Sequence, residues 1–190
     1  MFKRVISLVG FLAFALSFSS AWADDYQDAI NAFRKSGESA TFFNKSFGYA
    51  VFPTVGKGGA GIGGAYGKGR VYEKGKYVGD TSLTQLTVGF QLGGEAYSEI
   101  IFFQDQRAFN EFTKGNFEFG ADAQAIAITA SANAKASSTG ASAGASVTKN
   151  KATTTGAYHK GMATFTVAKG GLMYEASIGG QKFKYEPKKT

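Results

Sequence analysis

Eight of the fifteen residues in GKGGAGIGGAYGKGR, from Gly56 to Arg70, are glycine, and the stretch contains G-x-G-x-x-G at Gly56, Gly58 and Gly61. In a dinucleotide site such glycines close a turn between a strand and a helix whose first N–H groups hold a pyrophosphate. Here they run on into Ile62, Tyr66, Val71 and Tyr72 with no helix-forming segment, so that context is missing. The phosphate-loop pattern G-x-x-x-x-G-K-[ST] is missing too, because Gly69 follows Lys68. Two uses of glycine stay open. One is a strand that neighbouring backbone approaches closely; the other is an exposed backbone offering N–H groups to a phosphate beside Lys57, Lys68 and Arg70.

Other reactive constellations are scarce. The one histidine, His159, has no cysteine and no second imidazole with which to hold a transition metal. No G-x-S-x-G motif supports a serine hydrolase built around it. Glu95 and Glu99 stand four apart in a strand-like context, on one face, where charge on a sheet surface is the simplest account. The expectation is a protein that is not an enzyme, with no catalytic residue, no metal and no cofactor.

The first 23 residues read as a secretory signal. Lys3 and Arg4 precede the apolar run Val5–Phe18, and Ala21-Trp22-Ala23 offers a small-residue cleavage site before Asp24. Its removal leaves 19 basic against 14 acidic side chains, a net +5. The chain has no cysteine, hence no disulfide and no lipidated thiol after the signal. The expected location is therefore the periplasm or beyond, peripheral attachment to a membrane included. Charge is uneven along the chain: residues 45–76 carry six basic groups against Glu73, while 80–122 carry seven acids against Arg107 and Lys114. For an exported protein, the anionic partner expected of a basic face is a phospholipid headgroup rather than a nucleic acid.

Mostly strands must position these residues. QLTVGFQL, MATFTVA, YEASI and KFKYE alternate with period two, as half-buried strands do. EIIFF (Glu99–Phe103) reads as a strand covered on both faces, and GYAVFP (Gly48–Pro53) as a short one stopped by proline. Hairpin turns are expected at Lys74-Gly75, Gly170-Gly171 and Gly179-Gly180. Helices are expected from Asp24 or Asp25 to Ser36, over Glu38–Asn44, and over DQRAFNEF, capped by Asp105. A strand through about Ala130 leads into residues 131–156, a loop rich in Ala, Ser and Thr that carries few apolar side chains. The fold class expected is mainly β (α+β), an antiparallel curved sheet or barrel-like core with short N-terminal helices and one internal helix, forming a single domain over 24–190.

The order of motifs then carries a resemblance. A-V-F-P-x-V-x-K-x-G at Ala50–Gly59, G-F-Q-x-G-G-E at Gly89–Glu95 and F-G-A-D at Phe119–Asp122, with YHKGMATFTVAKGGLMYEASIGGQKF after them, closely resemble the SYLF-domain family. The resemblance covers roughly Ile30 to Tyr185. It implies binding of membrane phospholipid rather than catalysis, and its eukaryotic members include an actin-binding group. Actin is not an expected partner of an exported bacterial chain. The family's tryptophan-containing motif has no counterpart near Gly79–Ser82. The functional expectation is an exported, non-enzymatic protein that contacts anionic headgroups through basic, glycine-rich loops, with Lys57, Lys68, Arg70, Lys74 and Lys76 as the lipid-binding residues. The alternative is an envelope structural or interaction protein without specific lipid binding.

Overall fold

The computed structural model describes residues 20–89, 95–128, 158–169 and 178–189. The turn expected at Gly170-Gly171, the YEASI strand up to Ser177, the loop at 131–156 and most of the expected signal lie outside these residues. Helix α1 (Ser20–Lys35) is followed by one turn of helix, α2 (Gly37–Ala40), and a 3-10 turn over Thr41–Asn44. Then come β1 (Gly48–Glu73), β2 (Lys76–Gly89), β3 (Glu95–Phe103) and α3 (Gln106–Thr113). The chain closes with β4 (Asn116–Glu118), β5 (Ile126–Ile128), β6 (Met162–Lys169) and β7 (Lys182–Pro187).

One sheet holds every strand among the described residues, in the order β4-β7-β2-β1-β3-β6-β5. Among the described residues it does not close on itself, so of the two expected shapes it is the sheet rather than the barrel-like core. All of its pairings are antiparallel except β5 with β6, which run parallel. The fold is mainly β, as expected.

Strand β1 departs from the sequence reading. Pro53 does not stop it; the pairing with β3 slips between Phe52 and Val55, and the strand continues. A residue without an N–H is tolerated at such a bulge because no ladder bond is asked of it. Residues 48–57 then pair with β3, and residues 61–73 with β2. These two halves lie against each other: the Tyr49 and Tyr72 rings stack with centroids 4.9 Å apart, and Lys74 N–H donates to Phe47 C=O at 3.0 Å. A Cβ on Gly69 would lie 2.6 Å from the Phe52 ring, and one on Gly67 would lie 2.8 Å from the Val55 side chain. Close approach is thus what glycine does at these two positions. Nothing would meet a Cβ on Gly56 or Gly58. The second reversal, between β1 and β2, is the expected hairpin, with Lys74 and Gly75 both at positive φ (47° and 80°).

The sheet is covered on both sides. On one, Phe52, Val55, Leu83, Ile101, Phe103 and Phe183 pack with Ala108, Phe109 and Phe112 of α3. That helix is capped as expected, Asp105 Oδ1 accepting from Ala108 N–H at 2.9 Å. On the other side, Tyr49, Val51, Ile100, Phe102 and Phe165 pack with Tyr26, Ala29, Ile30 and Phe33 of α1 and with Phe42. All four α1 residues follow Ala23, so cleavage there would leave the packing of α1 on the sheet in place.

Candidate functional site

The even-numbered residues of the second half of β1 share a face with their partners on β2 and β7. Tyr66 stands opposite Thr84 and then Lys182, Lys68 opposite Ser82 and then Lys184, Arg70 opposite Asp80 and then Glu186. This is the face on which α1 lies, and among the described side chains Tyr26 of α1 meets it at Arg70. There the Arg70 guanidinium sits over the Tyr26 ring at 4.2 Å and the Tyr77 ring at 5.2 Å, and it pairs with Asp80 at 3.9 Å. Asp80 also accepts from the Tyr77 hydroxyl at 2.8 Å. Burial, and then this bond to a carboxylate, push the Tyr77 hydroxyl up to about 12. Arg70 therefore pins the helix to the sheet.

Beyond Arg70 the face opens. A cleft of about 460 Å³ lies between Tyr26 of α1 and the strands, bordered by Tyr66, Lys68, Ser82 and Lys184. Lys184 pairs with Glu186 at 3.1 Å and Lys182 with Glu118 at 3.6 Å, both at exposed positions where such pairs are weak. Lys68 forms no ion pair among the described residues. Further along, Ile62, Tyr66 and Leu86 are exposed to 75%, 52% and 84%.

Leu86 reverses the expected sidedness of β2. Of QLTVGFQL, residues 90–92 lie outside the described residues; at its start Gln85 is the buried member, donating through Nε2 to Gly179 C=O at 2.9 Å, and Leu86 faces water. Its cross-strand neighbour is Gly64, which has no side chain to pack against it, and the pairing of β7 with β2 ends at Thr84. The sequence holds the alternation but not which phase of it the core takes.

Of the five residues expected to bind lipid, the structure brings Lys68 and Arg70 onto this face and adds Lys182 and Lys184 to them. Lys57 shares the phase of Val55, on the opposite side of the sheet, across from Glu95. Lys74 and Lys76 sit at the β1–β2 turn, the other end of the ribbon, where Lys74 Nζ lies 5.1 Å over the Phe47 ring and Lys76 pairs in register with Glu73. The lysines of β7 were missed because they belong to the ribbon only through a pairing with β2 some hundred residues earlier in the chain.

A second polar cluster is internal, and it corrects the surface placement of Glu99. Glu99 is completely buried, as is Gln181, whose Nε2 donates to Glu99 Oε2 at 3.0 Å and to the Tyr97 hydroxyl at 3.3 Å. The second oxygens of Glu99 and Gln181 lack partners. Burial pushes the Glu99 carboxyl up to about 8 and raises Tyr97 as well. At neutral pH the carboxyl holds a proton, which turns one unpartnered acceptor into a donor. Glu95, two pleats away, is exposed.

His159 is exposed and 3.9 Å from Asp122, on the rim of a smaller pocket of about 150 Å³ that Glu111 and Lys160 also line. Among the described residues, no three His, Cys, Asp or Glu side chains come together to hold a metal ion. No described helix is long and apolar enough to cross a membrane, which says nothing of strands.

Two comparisons bear on this geometry. The profile of a family described as Ysc84, Las17-binding protein actin regulator, matches residues 84–188. A protein of Aeromonas veronii named Beta cell expansion factor A is 27% identical over 156 residues, covering 81% of this chain. The chain spans about half the length of that relative, 51%.

Proposed function

Because the chain belongs to the Ysc84 family, the SYLF-domain family of its sequence resemblance, we propose that it is a non-enzymatic protein that attaches peripherally to anionic phospholipid. The observation that carries this reading is the uncovered face of the β1–β2–β7 ribbon. Lys68, Lys182 and Lys184 stand there beside a cleft of headgroup size, ahead of an exposed apolar end. Lysine ammonium groups near an anionic membrane surface each contribute about 1 kcal/mol, with a reach of one screening length. The exposed ion pairs to Glu186 and Glu118 are weak enough to exchange for a phosphate. Arg70, held between two tyrosine rings, contributes by fixing α1 as one wall of the cleft.

The apolar run and small-residue site before Asp24 support export, and with it a periplasmic or secreted location. Actin, named in the family's description, is not an expected partner on this reading, in which the chain is exported.

The test is co-sedimentation with vesicles of equimolar phosphatidylglycerol and phosphatidylcholine, against phosphatidylcholine alone. Lys68→Gln, Lys182→Gln and Lys184→Gln combined are expected to weaken binding at low salt by roughly 100-fold, about 1 kcal/mol each, with unchanged thermal unfolding. Equal sedimentation of the unsubstituted protein with both vesicle types would overturn the reading.

A further inference from the structure

The lysine face explains attraction to a charged surface, but it leaves unexplained why Ile62, Tyr66 and Leu86 stand in water. On the lipid-binding reading above, we infer that this end of the ribbon enters the membrane, with Ile62 and Leu86 as the inserted side chains and Tyr66 at the level of the headgroups.

The positions of the residues support this order. Ile62, paired with Val88, lies farther along the ribbon than Leu86, which pairs with Gly64; Tyr66 comes one pleat repeat behind Leu86, and Lys68 with Ser82 and Lys184 behind that. At ~3.3 Å per residue, Ile62 and Lys68 are separated by about 20 Å. Apolar tip, aromatic ring with a hydroxyl, then ammonium groups is the sequence of chemistries met on leaving a bilayer. Long lysine stems let the charge stay at headgroup depth while the tip goes deeper. Glycines flank the tip on both strands: Gly64 faces Leu86, and Gly61 faces Gly89. Two exposed aliphatic side chains, Ile62 and Leu86, therefore stand at this end among the described residues.

Charge selects the occupant. A second copy of the chain docking this face against itself would bring Lys68, Lys182 and Lys184 toward their own counterparts. An anionic lipid surface instead places phosphates beside them. Neither insertion nor the lysine contacts require the fold to open, since Ile62, Tyr66 and Leu86 are already exposed.

The chain has no cysteine, so Leu86→Cys can carry a single environment-sensitive fluorophore. Asn110→Cys, on the exposed side of α3, provides a control position. On adding phosphatidylglycerol–phosphatidylcholine vesicles, the label at 86 is expected to shift to the blue and to be quenched by lipids brominated on their acyl chains, and the label at 110 to do neither. Ile62→Ser with Leu86→Ser is expected to weaken binding roughly tenfold per side chain, about 100-fold together. The loss should persist at high salt, where the lysine contribution fades. Binding with no change in the label at 86 would overturn insertion and leave the lipid reading standing. No binding to anionic vesicles would overturn both. An oligomer that the serine variant dissociates would assign the tip to a second copy and overturn insertion.

Discussion

Gly69→Ala is expected to destabilise the fold by about 3 kcal/mol, at the upper end of what overpacking costs, while Gly58→Ala leaves stability unchanged or slightly raised. Both glycines belong to the same run, and only the structure separates them. A methyl on Gly69 would meet the ring of Phe52 at 2.6 Å and Val51 C=O at 2.9 Å. Phe52 is completely buried among Leu83, Val55 and Phe183, so the ring has nowhere to go. At Gly58 a methyl meets nothing, and alanine restricts the unfolded chain. Urea denaturation of the two variants measures the difference; coincident midpoints would sink the close-packing account. In a Phe52→Ala background, where the ring that presses on position 69 is gone, Gly69→Ala should cost about 1 kcal/mol less, the coupling expected of residues in contact.

The second large effect depends on pH. The Glu99 carboxyl is held by burial at about 8, against 4.5 for a free side chain. Below about pH 4.5 it is protonated whether the chain is folded or not, and folding carries no penalty from it. Between the two values the folded state keeps a proton that the unfolded state has released, so stability falls as pH rises. The full fall across the window is about 5 kcal/mol at 1.36 kcal/mol per unit. Glu99→Gln keeps the shape and supplies a donor but cannot ionise. Its unfolding free energy is therefore expected to be nearly flat from pH 5 to pH 8, where that of the unsubstituted protein declines by several kcal/mol. Equal slopes in the two proteins, measured by urea titration at each pH, would contradict a buried neutral carboxyl.

These two residues also mark what could be read from the chain. Local chemistry was legible: the capped helix at Asp105, the Lys74-Gly75 turn, and the apolar run of β3 all depend on residues within a few positions of each other. Long-range pairing was not. Glu99 reads as one more charge on a sheet surface until Gln181, far along the sequence, is seen to close over it. Gln85 and Leu86 read as polar-out and apolar-in until the turn at Gly179 takes the glutamine inward and β7 stops short of the leucine. Pro53 reads as a stop because, from sequence alone, no partner is known whose register could slip past it. The glycine run needed its own doubling-back to show that Gly67 and Gly69 make room for Val55 and Phe52, while Gly56 and Gly58 make room for nothing.

The pairing of β2 with β7 has a consequence for synthesis. Residues 79–84 of β2 acquire their outer neighbour only when Lys182–Pro187 arrive, after roughly a hundred intervening residues have left the ribosome. A nascent or prematurely terminated chain that ends before Lys182 keeps that flank of β2 bare, with unpaired N–H and C=O groups running up to the apolar Leu86. A bare edge next to an aliphatic tip is a template for adding strands from other chains. The last strand thus shields the ribbon from aggregation, and nonsense truncations just short of it should accumulate as insoluble material even though most of the core residues are already present.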